Sequence, residues 1–211
     1  MRYPIEIGIG VLDVNKKQLA AEKMKKTLIE ATIEIVGTSG IEKLTTSALS
    51  KKANTSKGGL YHHFDSLNTL KISAFQTLVD GFLNLGNDHM QFNSLEEYLS
   101  FIGDLTFNAM EQRPVELKAL MVFIQQAMFE PEFKKGVTQL TKSSLDRYAE
   151  VVSNQFPSLT KSQVSTVVQI LDAHFGGSMI HWYLLDDPIQ CRENWRSLCK
   201  IICFSLHEGK L

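Results

Sequence analysis

From Lys17 to Val36 the apolar residues Met24, Leu28, Ala31 and Ile35 recur every three or four positions, with lysines and glutamates between them. That spacing predicts an amphipathic helix with one buried stripe. Gly37 and Gly40 predict its end. Thr46 to Ala53 fits a short second helix, opened by a threonine cap and burying Leu49 and Ala53 four apart on one face. Asn54 tolerates the left-handed conformation, so Asn54 and Thr55 predict a tight turn into a third helix capped by Ser56 and ending near Phe64. Beyond Asp65 the pattern lengthens into six helical segments, Leu67 to Leu85, Ser94 to Glu111, Pro114 to Phe129, Pro131 to Phe156, Lys161 to Leu185 and Gln190 to His207. Only IEIGIGVL near the start hints at period-two alternation. The expected fold is all-α, three helices followed by six.

The third predicted helix carries unusual chemistry. Leu60 and Phe64 lie four apart and point inward, toward Leu28, Leu49 and Ala53. The opposite face presents Lys57, Gly58, Gly59, Tyr61, His62 and His63. Glycine inside a helix costs about 1 kcal/mol relative to alanine, so two in succession are explained either by a loop or by a use for bare backbone. Bare backbone at a helix start admits close approach to phosphate and lets neighbouring side chains reach base edges in a major groove.

Charge changes the picture further. Lys16 to Lys71 holds ten lysines against five acids, Glu22, Glu30, Glu34, Glu42 and Asp65, a balance of +5. From residue 72 onward 11 basic residues face 16 acidic ones, a balance of −5. A basic N-terminal part fits a polyanionic partner, although lysines that merely solvate helix faces give the same count. On charge alone Lys25 and Lys26 are candidates for contact with a nucleic-acid backbone.

The segment TTSALSKKANTSKGGLYHHF completes a motif. The stretch from about Lys25 to Leu70 resembles the DNA-binding domain of TetR/AcrR-family transcriptional regulators, whose helix-turn-helix ends in a serine-lysine-glycine-x-leucine-tyrosine-x-x-phenylalanine signature. Ser56, Lys57, Gly58, Leu60, Tyr61 and Phe64 match it. Gly40 matches the glycine after the first helix, and Thr45 and Thr46 match the threonines that open the second. Two positions depart from the pattern: Asn54 replaces the turn glycine, and Leu67 replaces a lysine that would touch phosphate. The resemblance implies that Lys57 and Gly58 approach base edges with Gly59 beside them, that Tyr61, His62 and Thr46 contact phosphates, and that His63 does either.

Residues 1–16 are expected to form an N-terminal arm, and the resemblance further implies a three-helix DNA-binding domain over 17–66 and a six-helix ligand-binding and dimerisation domain over 67–211. The expected partners are a palindromic double-stranded DNA operator, a small apolar or aromatic effector, and a second copy of the chain. The expected role is a repressor released by that effector, acting in the cytoplasm. Loss of the lysine at Leu67 motivates the alternative, a helical small-molecule- or protein-binding dimer with weakened DNA binding. Candidate effector residues are Phe82, Phe101, Leu105, Met121, Phe123, Met128 and His174, drawn from an aromatic- and methionine-rich C-terminal part whose soft side chains suit an apolar ligand, and also an ordinary core. For the subunit contact the candidates are Gly176, Gly177, His181, Trp195, Cys199 and Ile202, on two helices that pair as a four-helix bundle. Local bending is the other use for the paired glycines.

The remaining features exclude other classes. Cys191, Cys199 and Cys203 are odd in number and confined to the end of the chain, unlike a disulfide framework. Cys199, Cys203 and His207 share a helical stripe, but eight residues of helix span about 12 Å, too far for one ion to take all three. No metal site or cofactor is expected. Nucleotide-loop, zinc-protease, nucleophile-elbow and dinucleotide fingerprints are all missing, so no enzyme is expected. No apolar run is long enough to span a membrane, and MRYPIEIGIGVLDVN lacks a leader's cleavage site; it reads as a flexible arm or a short strand.

Overall fold

The computed structural model describes residues 9–83 and 90–211. Among them the chain forms nine α-helices and one 3₁₀ turn, with no strand. The helices are α1 (Ile9–Ser39), α2 (Thr46–Lys52), α3 (Lys57–His63), α4 (Leu67–Leu83), α5 (Leu95–Gln112), α6 (Pro114–Ala127), α7 (Pro131–Gln155), α8 (Lys161–Leu184) and α9 (Pro188–His207). Local chemistry sets their starts. Thr45, Ser56, Ser94, Thr160 and Asp187 each accept a hydrogen bond from an amide three residues on, and α6, α7 and α9 open on proline.

α1 differs from its predicted course at both ends. It begins at Ile9, so residues 9–16 of the expected arm continue the helix; no proline interrupts them, and the glycine at position 10 only weakens the helix. Residues 1–8, where the rest of the arm and half of the ambiguous IEIGIGVL fall, lie outside the described residues. At the other end α1 runs through Gly37 and stops at Ser39, with Gly40 at φ 83° turning the chain away. Gly40 is the helix stop, because that conformation penalises any side chain.

Gly37 has a different job. A Cβ built there would overlap the carbonyl of Val115 on α6. Its bare backbone therefore sets the distance of closest approach between α1 and α6, the most extensive helix pair in the fold.

Two cores share α1. One stripe, Leu28, Ala31 and Ile35, joins Leu49, Ala53, Leu60, Phe64 and Leu70 in a small core under α2 and α3. The adjacent stripe, Ile33 and Val36, joins a larger core built from α4 to α9. Near the far end, the Trp195 Nε1–H of α9 donates to the Leu99 carbonyl of α5 at 2.9 Å, and Gly103 is bare where the indole crosses.

α4 is anchored to the start of α7 by an ion pair. Lys71, 9% exposed, reaches the Glu130 carboxylate at 2.5 Å and lies 4.7 Å from the centre of the Phe133 ring. Lys71's hydrogen bond holds the Glu130 carboxyl below its ordinary range, against a smaller opposing effect of partial burial.

Two outcomes follow. Gly37→Ala forces a methyl group against backbone that cannot swing away, and should destabilise the fold by about 1–3 kcal/mol in urea unfolding. Glu130→Gln leaves the Lys71 ammonium buried without its counter-ion, and should cost about 1–3 kcal/mol at neutral pH. Because the folded carboxyl titrates below its unfolded value, the pair's contribution is present above the ordinary carboxylate range and is lost as pH falls through the depressed folded pKa. Unfolding measured on acidification should therefore show the difference between wild type and Glu130→Gln shrinking.

Candidate nucleic-acid interface and effector cavity

α3 is anchored from behind. Leu60 is fully buried and Phe64 nearly so, both against Leu28, Leu49 and Ala53. Asn54 takes the left-handed conformation at φ 50°, which permits the tight turn from α2 that places α3 across the small core. The consequence is an open outer face: Ser56, Lys57, Gly58, Tyr61 and His62 are exposed, and His63 is half-buried with its ring edge-on to that of His62.

The two glycines separate in role. At Gly58 an added Cβ would meet nothing closer than the Ser56 hydroxyl at 3.8 Å, so the fold itself does not demand glycine there. At Gly59 a Cβ would press on the Thr55 hydroxyl, and its amide donates to Ser56 Oγ at 3.0 Å. Gly59, expected beside the bases, is half-buried against this turn, while Gly58 is the bare, exposed point of the outer face.

Around this tip lie further polar groups. The Thr46 hydroxyl at the start of α2 sits 3.5 Å from the Tyr61 hydroxyl, so the two helices present them together. Thr45 is exposed, with its hydroxyl committed to the α2 cap. Lys25 and Lys26 are exposed on α1; Lys26 lies 3.8 Å from Glu30, but both side chains are so exposed that solvent screens the pair. Leu67 is half-buried against the small core, which explains what an apolar residue does at this position.

Helices α4 to α8 line a half-open cavity of about 900 Å³. Phe75, Val79 and Phe82 of α4, Tyr98, Phe101 and Leu105 of α5, and Leu171, Phe175 and Met179 of α8 give it an apolar wall. α7 supplies a polar side that includes Ser144, Arg147, Tyr148, Glu150 and Asn154. Of the candidate effector residues, Phe82, Phe101 and Leu105 line this space. Met121, Phe123, Met128 and His174 do not. Phe123 is spent in the core against Phe133, Met128 is exposed at the end of α6, Met121 is half-buried elsewhere on α6, and His174 turns toward Trp195. Burial, with the charge of His181 as a smaller effect, pushes the His174 pKa down.

The candidate dimer residues need a similar correction. Trp195, Cys199 and Ile202 form the inward stripe of α9, buried in their own subunit. Outward on the same helix are Ile201 and Phe204, and on α8 Gly177, Ile180, His181 and Leu184, all exposed. Gly176 borders the cavity. Each helix has apolar residues on two sides, and that doubling was the available signal for an inner and an outer partner.

Burial, aided by the nearby Cys203 and Glu96, pushes the Cys199 thiol up to about 12, which makes it a poor nucleophile and metal ligand. Cys191 and Cys203 are raised for the same leading reason. Among the described residues no three His, Cys, Asp or Glu side chains are placed to hold a metal ion, and no helix is long and apolar enough to cross a membrane.

Residues 28–70 match the family model for bacterial regulatory proteins of the tetR family. Among solved structures, a transcriptional regulator from Rhodococcus sp. Rha1 superposes with a TM-score of 0.71 at 19% identity, over 84% of this chain and 95% of its own. A member of the TetR family from Streptomyces coelicolor A3 gives 0.68 at 17%, over 85% and 97%. The FadR regulator from Bacillus subtilis, solved with stearoyl-CoA, gives 0.68 at 16%, over 84% and 96%. No curated protein sequence matches. The matched segment coincides with the small core, its helix-turn-helix and the exposed α3 face, and the remaining helices follow the same fold as these solved regulators.

Proposed function

We propose that this chain is a ligand-responsive repressor which, as a homodimer, binds a palindromic operator and leaves it when a small apolar or aromatic molecule fills the cavity of the C-terminal domain. The observation that carries the reading is the pairing of Gly58 with its surroundings. The fold leaves room for a side chain there, yet the position is glycine on an exposed helix anchored by Leu60 and Phe64. Close approach to DNA gives the missing Cβ a reason. Lys57, Tyr61, His62 and Thr46 then surround the point of approach, with His63 at its edge and Lys25 and Lys26 reaching flanking phosphates.

Two copies are needed because a half-site contact by one seven-residue helix is small, and a two-fold pair of such helices reads two successive major grooves about 34 Å apart. The exposed stripe Gly177, Ile180 and Leu184 of α8, with Ile201 and Phe204 of α9, supplies an apolar face for the second copy. The cavity supports effector control. It touches α4, which begins at the end of the helix-turn-helix, so a ligand that favours one placement of α4 shifts the separation of the two α3 helices. Occupancy of the same fold by stearoyl-CoA in the Bacillus subtilis FadR supports a small-molecule effector.

Gly58→Ala separates folding from reading. Alanine should leave thermal stability unchanged or raise it by up to about 1 kcal/mol, since glycine is the weaker helix former. Fluorescence anisotropy against DNA upstream of its own gene should meanwhile show affinity reduced about tenfold or more, the loss of roughly one base contact. Full affinity in a stable Gly58→Ala protein refutes the reading. The double substitution Ile180→Glu with Phe204→Glu should yield monomers in sedimentation velocity, because it places like charges on the proposed apolar face.

A further inference from the structure

The cavity also carries information about charge, and the following rests on the reading of that cavity as the effector site. Among the described residues three charged ones line it: Arg147, Glu150 and Asp172. Arg147 is already committed, its guanidinium donating to Asp80 at 2.9 Å. Glu150 and Asp172 form no ion pair among the described residues, and they approach the cavity from α7 and α8 respectively. All three are exposed to solvent, so they stand at the open side of the cavity as one cation already paired and two carboxylates without a pair among the described residues. Partial desolvation pushes the Asp172 carboxyl up, although the side chain remains exposed.

The rest of the wall suits the same kind of guest. Phe75, Phe92 and Phe101 line it with aromatic rings, whose negative quadrupole attracts a cation, while Phe82 and Phe175 already pack against Arg113 and Trp195. Tyr148 also lines the cavity, its ring stacked 6.4 Å from that of Tyr98. An aliphatic or aromatic body is satisfied by the apolar side, and an N–H cation by acceptors that are otherwise open. An anionic guest meets the reverse: two carboxylates repel it, and the one guanidinium must first be taken from Asp80.

We infer that the effector is a lipophilic cation, an apolar molecule carrying a protonated amine, held between the aromatic wall of the cavity and the carboxylates of Glu150 and Asp172. Neutral apolar molecules bind more weakly, and fatty carboxylates most weakly.

Calorimetric titration of the full chain with decylammonium, decan-1-ol and decanoate tests this, since the three share one saturated tail and differ only in the head. The ammonium should bind about tenfold or more tighter than the carboxylate at low ionic strength, with a gap that narrows as salt screens the exposed part of the attraction. In the double variant Glu150→Gln with Asp172→Asn, the ratio of ammonium to alcohol affinity should fall about tenfold, with the alcohol reporting on cavity integrity. Decanoate binding as tightly as decylammonium, or a ratio that survives the double substitution, overturns the cationic class while leaving the cavity as the effector site. Failure of all three probes to bind overturns this inference together with the effector reading beneath it.

Discussion

Seven residues of helix cannot hold themselves together in water, where isolated helices become marginal below about 12–15 residues. α3 exists because Leu60 and Phe64 are buried behind it, each worth about 1.5–3 kcal/mol of transfer free energy, and because Ser56 caps its start. The whole regulator reading hangs on that anchor. It frees the outer face of any structural duty, so a glycine with room for a side chain can be kept there for the benefit of a partner.

From the anchor outward the structure is a chain of close contacts. Leu60 and Phe64 meet Leu28 and Ile35 on α1, and the next stripe of α1, with the bare backbone of Gly37, meets α6. α4 continues from the small core into the cavity wall and is fastened to α7 through Lys71 and Glu130. The cavity wall and the small core behind α3 thus share α4. That shared packing is a physical route by which occupancy at one end can bias geometry at the other, since packed helices move as units between discrete arrangements.

Much of this was legible in the residues. The three- and four-residue periodicities placed α2 to α9 closely, because each long helix buries one stripe and is bounded by proline, serine, threonine or aspartate. Asn54 announced its left-handed turn, and the small core was read almost residue by residue. The tetR signature was legible because a short helix with a fixed partner tolerates few alternatives at each position. Function on α8 and α9 was harder. Those helices carry apolar residues on opposite sides, so Trp195 and Ile202 could not be told from Ile201 and Phe204 without knowing which side their own subunit covers. Gly37 misled, since it marks a helix crossing rather than a helix end. The cavity's polar side, on α7, left no sequence signal because its residues are ordinary surface types, and Arg147, Glu150 and Asn154 remain exposed at the cavity's open side.

Hydrogen–deuterium exchange on the intact protein, with and without DNA from upstream of its gene, measures the central point directly. If the exposed tip of α3 is what enters the duplex, DNA should slow exchange in peptides covering residues 56–62 and at the start of α2, while α9 stays as it was. Unchanged exchange over residues 56–62, with slowing confined to α7 through α9, would contradict it.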